Sequence, residues 1–339
     1  MRLQCNLLER MREFDLIKTH FTDWSTNCSN LKLGIGDDCL VWQGDQPLVI
    51  STDTAVQGVH FPEQARPDQV ASRAFLSALS DLAAMGASAD FFTLALSLPA
   101  DLTDHWLSEF AKQLRVLAQQ YQIVLAGGDT TRSKLITVTI SVHGCVAKPL
   151  LRSGAIAGDD IWVTGRLGGA AAALPTILAS YDETSGDANL GTQAVSAKTS
   201  IPSQWLNAYW QPDIPMLFAK QASSLLNSAI DISDGLMGDA GHLARASQVD
   251  LEFDIHALPL AEQLQPNVPQ HLALALAGGD DYQLCFTATK AARQSITLLA
   301  ESINQPVSLV GRVVRGNGDV RWYDGTHQIK PALQGYQHF

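Results

Sequence analysis

Apolar and polar positions alternate in blocks along this chain, and the blocks switch period several times. Residues 33–42, LGIGDDCLVW, predict a strand with a Gly/Asp turn set into it, and residues 47–52, PLVIST, predict the next strand, ending at Asp53. From Asp68 to Met85 the apolar residues Val70, Ala71, Ala74, Phe75, Ala78, Leu79 and Leu82 recur at helical spacing, with Asp68 placed to cap the helix and Gly86 to end it. Phe91–Leu98 predicts a strand, 102–121 an amphipathic helix, and 123–126 a short strand running into Gly127-Gly128-Asp129-Thr130. A long strand over 135–146 completes a β-β-α-β-α-β unit, and a boundary falls near Ala147–Arg152.

The second half opens on a strand at 161–164 and a Gly/Ala-rich helix from Gly168. Residues 181–200 are small, polar and unpatterned, and predict a mobile surface loop. Helices at about 216–227 and 235–247, a strand at 282–288, a helix at 291–303 and a strand at 307–313 follow. The fold class is therefore α/β, of the α+β type, in two domains: a chain of 339 residues is long enough for two.

Composition changes the picture in three ways. No segment is long and apolar enough to span a bilayer, and Met1–Arg12 is charged and lacks the apolar core of a secretory signal, so the cytoplasm is the expected location. A net charge of −11 argues against nucleic acid as a partner. The five cysteines are scattered without a C-x-x-C pair, as reduced thiols are.

The aspartates carry the candidate chemistry. They stand at the ends of apolar segments beside glycine or hydroxyl residues: Gly36-Asp37-Asp38, Ser51-Thr52-Asp53-Thr54, Ser80-Asp81, Gly127-Gly128-Asp129-Thr130, Asp231-Ile232-Ser233-Asp234-Gly235 and Gly279-Asp280-Asp281. One such aspartate is ordinarily a turn former or a helix cap. Six recurrences point instead to carboxylates gathered around hard cations, because gathered carboxylates repel unless a cation intervenes. Mg²⁺, held by a few carboxylates and substrate phosphates, fits that donor type, and it lets an acidic protein hold an acidic nucleotide. No Walker A motif is present, since Gly165-Arg166-Leu167-Gly168-Gly169 lacks its spacing and its lysine, and no protein-kinase signature appears.

Eight ordered runs resemble the thiamine-monophosphate kinase family, part of the superfamily that includes aminoimidazole ribonucleotide synthetase. They are GIGDDC (34–39), STDTAVQGVHF (51–61), LSDLAAMGA (79–87), GGDTTR (127–132), RSGAIAGD (152–159), AIDISDGL (229–236), GGDDYQLCF (278–286) and GYQHF (335–339). The resemblance implies the synthetase-superfamily architecture, with an N-terminal mixed-sheet domain whose sheet forms a homodimer and a C-terminal α/β domain. Because the family usually begins near Met11–Phe14, residues 1–12 read as an extension, 13–148 as the ATP- and magnesium-binding domain, and 149–339 as the second domain. It also implies ATP as co-substrate, thiamine monophosphate as acceptor, and direct transfer without a phosphoenzyme.

The residues carried over are Asp38, Ser51, Thr52, Asp53, Asp81, Asp129, Asp231 and Asp234 for the Mg²⁺ ions. Asp53, Asp129 and Asp234 stand at the transfer itself. Gly128, Asp129, Arg152 and Ser233 meet ATP, and His60, Asp280 and Leu333 meet the acceptor. An acceptor phosphate already ionised near neutral pH requires no catalytic base. Three positions depart from the family pattern. Asp280 replaces the usual glutamate, Leu333 replaces a tryptophan, and Met216 ends a Pro-Asp-Ile-Pro run that usually carries arginine. Another enzyme of the superfamily and a non-catalytic nucleotide-binding homologue are the alternative readings. The first is disfavoured by the STDT…HF and GYQHF combination, the second by retention of the aspartates, which are costly together without metal.

Overall fold

The computed structural model describes residues 19–21, 29–33, 40–182, 201–264 and 270–331. The turn at Gly36–Asp38, the segment 183–200, Leu333 and the 335–339 run lie outside the described residues. Two short strands, β1 (Leu31–Leu33) and β2 (Val41–Trp42), pair with each other. The first larger sheet is built from β3 (Leu48–Val56), β4 (Phe91–Leu98), β5 (Val124–Arg132) and β6 (Thr137–Cys145), in the order β3-β6-β4-β5. It is mixed: β4 and β5 are parallel, and β6 is antiparallel to both β3 and β4.

Helix α1 (Pro67–Ala84) and helix α2 (Asp104–Gln120) cover one face of this sheet. Asp68, expected as a cap, sits instead in the first turn of α1 and accepts from the Arg66 side chain at 2.9–3.0 Å. Pro67 opens the helix and fixes its first dihedral, so the cap falls two residues earlier, on Arg66. Gly86 follows the helix at φ +68°, the left-handed position that ends many helices.

Two strands run further than the sequence pattern suggests. β3 continues through Asp53 to Val56 because every residue from Leu48 to Val56 finds a partner on β6. β5 takes in Gly127–Thr130 rather than stopping before them. Gly128 serves close approach: a Cβ on it would stand 1.9 Å from the Leu94 carbonyl oxygen.

The second sheet has seven strands among the described residues, in the order β13-β12-β9-β11-β7-β10-β8. In chain order its part of the molecule runs β7 (Asp160–Thr164), α3 (Gly169–Asp182), α4 (Ser203–Trp210), α5 (Met216–Ala222), β8 (Ser228–Ile232) and α6 (Leu236–Ser247). It ends with β9 (Val249–Asp254), α7 (His271–Ala277), β10 (Gln283–Ala288), α8 (Arg293–Ser302), β11 (Val307–Arg315), β12 (Val320–Asp324) and β13 (His327–Ile329). The sequence pattern missed α4, β8, β9, α7, β12 and β13.

Helix α1 joins the two layers. It is buried on nearly all sides, Gln69, Ser72, Arg73 and Ser80 included, because one side packs on β3 and β6 and the other on β8, α4 and α5. No helix among the described residues is long and apolar enough to cross a membrane.

Candidate active site

Three elements bring acidic residues to one cleft where the two layers meet. On β3, alternation turns Ser51 and Asp53 toward α1 and leaves Thr52 and Thr54 exposed on the opposite face. From α1, Ser77, Ser80 and Asp81 face this cleft region, one helical turn apart. From β8, the edge strand of the second sheet, comes Asp231. The cleft has a volume of about 290 Å³, and Ser51, Asp81, Arg152 and Asp231 are among its lining residues.

Hydrogen bonds from serine hydroxyls tie β3 to α1 and α1 to β8. The Ser51 hydroxyl donates to Asp81 Oδ2, and the Ser80 hydroxyl donates to Asp231 Oδ2 at 3.0 Å. Burial first, and the Asp81 charge second, push the Asp53 carboxyl up from 3.8 to about 6, while the Ser77 hydroxyl works in the other direction. Burial, then Asp81 and Asp239, push Asp231 up to about 7. Carboxyls held this high resist ionising together.

Asp239, on α6, is a member of this group that the sequence pattern did not single out. It is 4% exposed, and its Oδ2 accepts the backbone N–H groups of both Ser233 and Asp234 at 3.1 Å. Burial and the neighbouring Asp234 raise it to about 7, with Arg152 acting against them. An aspartate in the first turn of a helix, just after an Asp-x-x-Asp-Gly run, is the signal that marks it. Its neighbour His242 is on the helix surface, 3.3 Å from Arg245 Nη2.

The donors suit a hard divalent cation: carboxylate and hydroxyl oxygens, crowded enough that charge is disfavoured without one. Among the described residues no three Asp, Glu, His or Cys side chains close on a single point. The donor set fits an ion that keeps waters and takes up ligand phosphates, as Mg²⁺ does.

Other residues singled out from the sequence fall elsewhere. Thr52 bonds Ser141 across the exposed face at 2.8 Å. Asp129 is exposed on β5, and the register places it in one row with Ala95, Thr139 and Thr54 on that same face. Gly128 lies in the neighbouring row with Leu94, Ile140 and Asp53. Asp234 is exposed at the start of α6, and Asp38 and Leu333 lie outside the described residues. His60 and Asp280 are brought together by Arg73, whose side chain bonds the His60 carbonyl at 2.7 Å and Asp280 Oδ2 at 2.7 Å.

Known proteins share this organisation. Residues 36–146 match the model of the AIR synthase related protein N-terminal domain, and residues 157–324 match that of the C-terminal domain. Thiamine-monophosphate kinase of Escherichia coli (strain K12) is 36% identical over 333 residues, which cover 96% of this chain and 98% of that protein. The crystal structure of thiamine-monophosphate kinase from Stenotrophomonas maltophilia K279a superposes with a TM-score of 0.74 at 36% identity, covering 86% of this chain and 91% of that one. AaThiL complexed with AMPPCP and TMP gives 0.73 at 26% identity, covering 100% and 99%. Likeness at this level over nearly the whole length, with both sheets in place, means that the chain belongs to the thiamine-monophosphate kinase family.

Proposed function

We propose that the chain transfers the terminal phosphoryl group of ATP to the phosphate of thiamine monophosphate, giving thiamine diphosphate and ADP. The observation that carries this reading is the acidic cleft between the layers, with Ser51, Asp81 and Asp231 facing one cation, Arg152. The acceptor comes from the relatives, which are named thiamine-monophosphate kinases and one of which was solved with AMPPCP and TMP together.

Mg²⁺ ions held by Ser51, Asp53, Asp81 and Asp231, with Asp38, Thr52, Asp129 and Asp234 completing the set, would neutralise the transferring phosphates and polarise the phosphoryl group. Arg152, which lines the cleft, fixes the nucleotide phosphates. Asp239 occupies the Ser233 amide, so Ser233 meets ATP through its hydroxyl. The acceptor phosphate attacks in line, and no residue is needed to take a proton from it.

The metal set spans two faces of the first sheet. Asp53 is on β3 and Asp129 on β5, at opposite edges, with three strand spacings or roughly 14 Å between them. On this reading two copies of the chain pair through the uncovered face that carries Thr52, Thr54 and Asp129, so that Asp129 of one copy meets the Thr52–Asp53 stretch of the edge strand β3 in the other. The working unit on this reading is a homodimer built by residues 13–148, with 149–339 closing each cleft.

A steady-state assay of ADP release tests the acceptor. Thiamine monophosphate is expected to accelerate ATP consumption strongly, and unphosphorylated thiamine to leave it at the background rate. Equal rates with both compounds would remove the acceptor assignment.

A further inference from the structure

The guanidinium of Arg73 is sunk between the two layers, with its side chain 8% exposed, and each of its three nitrogens is occupied. Nε donates to the His60 carbonyl at 2.7 Å, Nη1 to the Tyr209 carbonyl at 3.0 Å, and Nη2 to Asp280 Oδ2 at 2.7 Å. Its Cζ lies 4.1 Å from the centre of the Tyr209 ring, in cation–π contact. One side chain thus ties the loop after β3, the end of α4 and the loop before β10, which are far apart in sequence.

The loop it grips is itself tense. Gly279, Asp280 and Tyr282 have φ of +68°, +61° and +51°, and side chains rarely adopt such angles. Their hold on the neighbouring strand is through backbone: the Asp280 N–H donates to the Ser233 carbonyl and the Tyr282 N–H to the Ile232 carbonyl, both at 2.8 Å. The Tyr282 hydroxyl donates to Asp280 Oδ1 at 2.9 Å. Both carboxylate oxygens of Asp280 are therefore engaged within the protein, one by Arg73 and one by Tyr282.

We infer that Arg73 is a positioning residue for the acceptor, holding the His60 loop and the Asp280–Tyr282 loop at the spacing that the acceptor pocket requires. This rests on the function proposed above, in which His60 and Asp280 stand at the thiamine monophosphate. Asp280 then acts on the pocket as the anchor of Arg73, and its shorter side chain, in place of the usual glutamate, matches that reach. Lysine cannot replace Arg73, because a single ammonium on a flexible stem does not reproduce a planar three-way fork.

The test compares KM for thiamine monophosphate and for ATP, together with equilibrium binding of thiamine monophosphate by calorimetry, in R73Q, R73K, D280N and Y282F. In R73Q the acceptor KM and dissociation constant are expected to rise by at least about tenfold, as loss of positioning does. KM for ATP stays within about twofold, R73K restores little, and R73Q/D280N is no worse than either single variant. A folded R73Q with an unchanged acceptor KM, or with both KM values raised equally, overturns the inference. Should R73Q fail to fold, Y282F decides: a selective rise in acceptor KM supports it, and unchanged values overturn it. A wild-type chain that neither binds nor phosphorylates thiamine monophosphate removes the proposed function, and this inference with it. Normal wild-type behaviour beside an unaffected R73Q removes the inference alone.

Discussion

Replacing Asp231 by asparagine is expected to abolish phosphoryl transfer and, without Mg²⁺, to raise the melting temperature at pH 8. The two effects share one cause. Burial and the charges of Asp81 and Asp239 raise the Asp231 carboxyl to about 7 in the folded chain, against 3.8 ordinarily. Between those values the folded chain holds a proton that the unfolded chain has released. Stability is therefore lost as pH rises through that window, and above about pH 7 the full cost of the charge is present. Asparagine keeps the shape and can still accept from the Ser80 hydroxyl, which lies 3.0 Å from Oδ2. It removes a penalty on the order of 2–4 kcal/mol at pH 8. At pH 4 wild type and variant should melt alike. On the proposed reading the same substitution also removes a metal ligand, with an expected loss of several kcal/mol at the transition state or about a thousandfold in rate. Mg²⁺ should then stabilise wild type far more than the variant. Scanning calorimetry at the two pH values, with and without Mg²⁺, measures all of this. An asparagine variant less stable than wild type at pH 8 without metal would contradict the electrostatic reading of the cleft.

The second large effect concerns Asp53 and Asp129. Each of D53N and D129N alone is expected to be inactive. Mixed after partial denaturation and refolding, they should regain activity. If one site draws Asp53 from one chain and Asp129 from the other, a mixed dimer carries one intact site and one doubly altered site. Random assortment then restores roughly a quarter of the wild-type rate. Refolding either variant by itself provides the control. No recovery from the mixture, with mixed dimers demonstrated by tagged pull-down, would place both residues in a site of one chain.

Much of the frame was legible because its signals are local. The helix Pro67–Ala84 with Gly86 after it and the strand Phe91–Leu98 follow from period and punctuation alone. The strand at 123–126 was ended too early because two glycines weaken a strand pattern, whereas pairing with β4 carries it through Gly127–Thr130 and Gly128 lies close against Leu94. Strand β8 was missed because only five residues, buried on both faces, carry no alternation. At the site, spacing marked the aspartates that end or interrupt apolar runs. Nothing local marks Arg73, which sits among Ala74, Phe75 and Leu76 in a helix buried on both sides, so its inward direction is set by α4 and the loop before β10. Asp239 lies in the first turn of α6, where an exposed acid is the ordinary reading, and only the fold of the 233–235 turn brings it inside. Sidedness was also hidden. Thr52 and Asp53 are adjacent, and only pairing with β6 and packing of α1 decide which of them faces the cleft.

One measurement bears most directly on the proposed reaction: a ³¹P NMR time course of the wild-type chain with ATP, Mg²⁺ and thiamine monophosphate in one tube. The expected result is loss of the thiamine monophosphate and ATP signals with matching growth of thiamine diphosphate and ADP, no orthophosphate, and no change when Mg²⁺ is chelated beforehand. ATP converted to ADP and orthophosphate while the thiamine monophosphate signal stands still would contradict it.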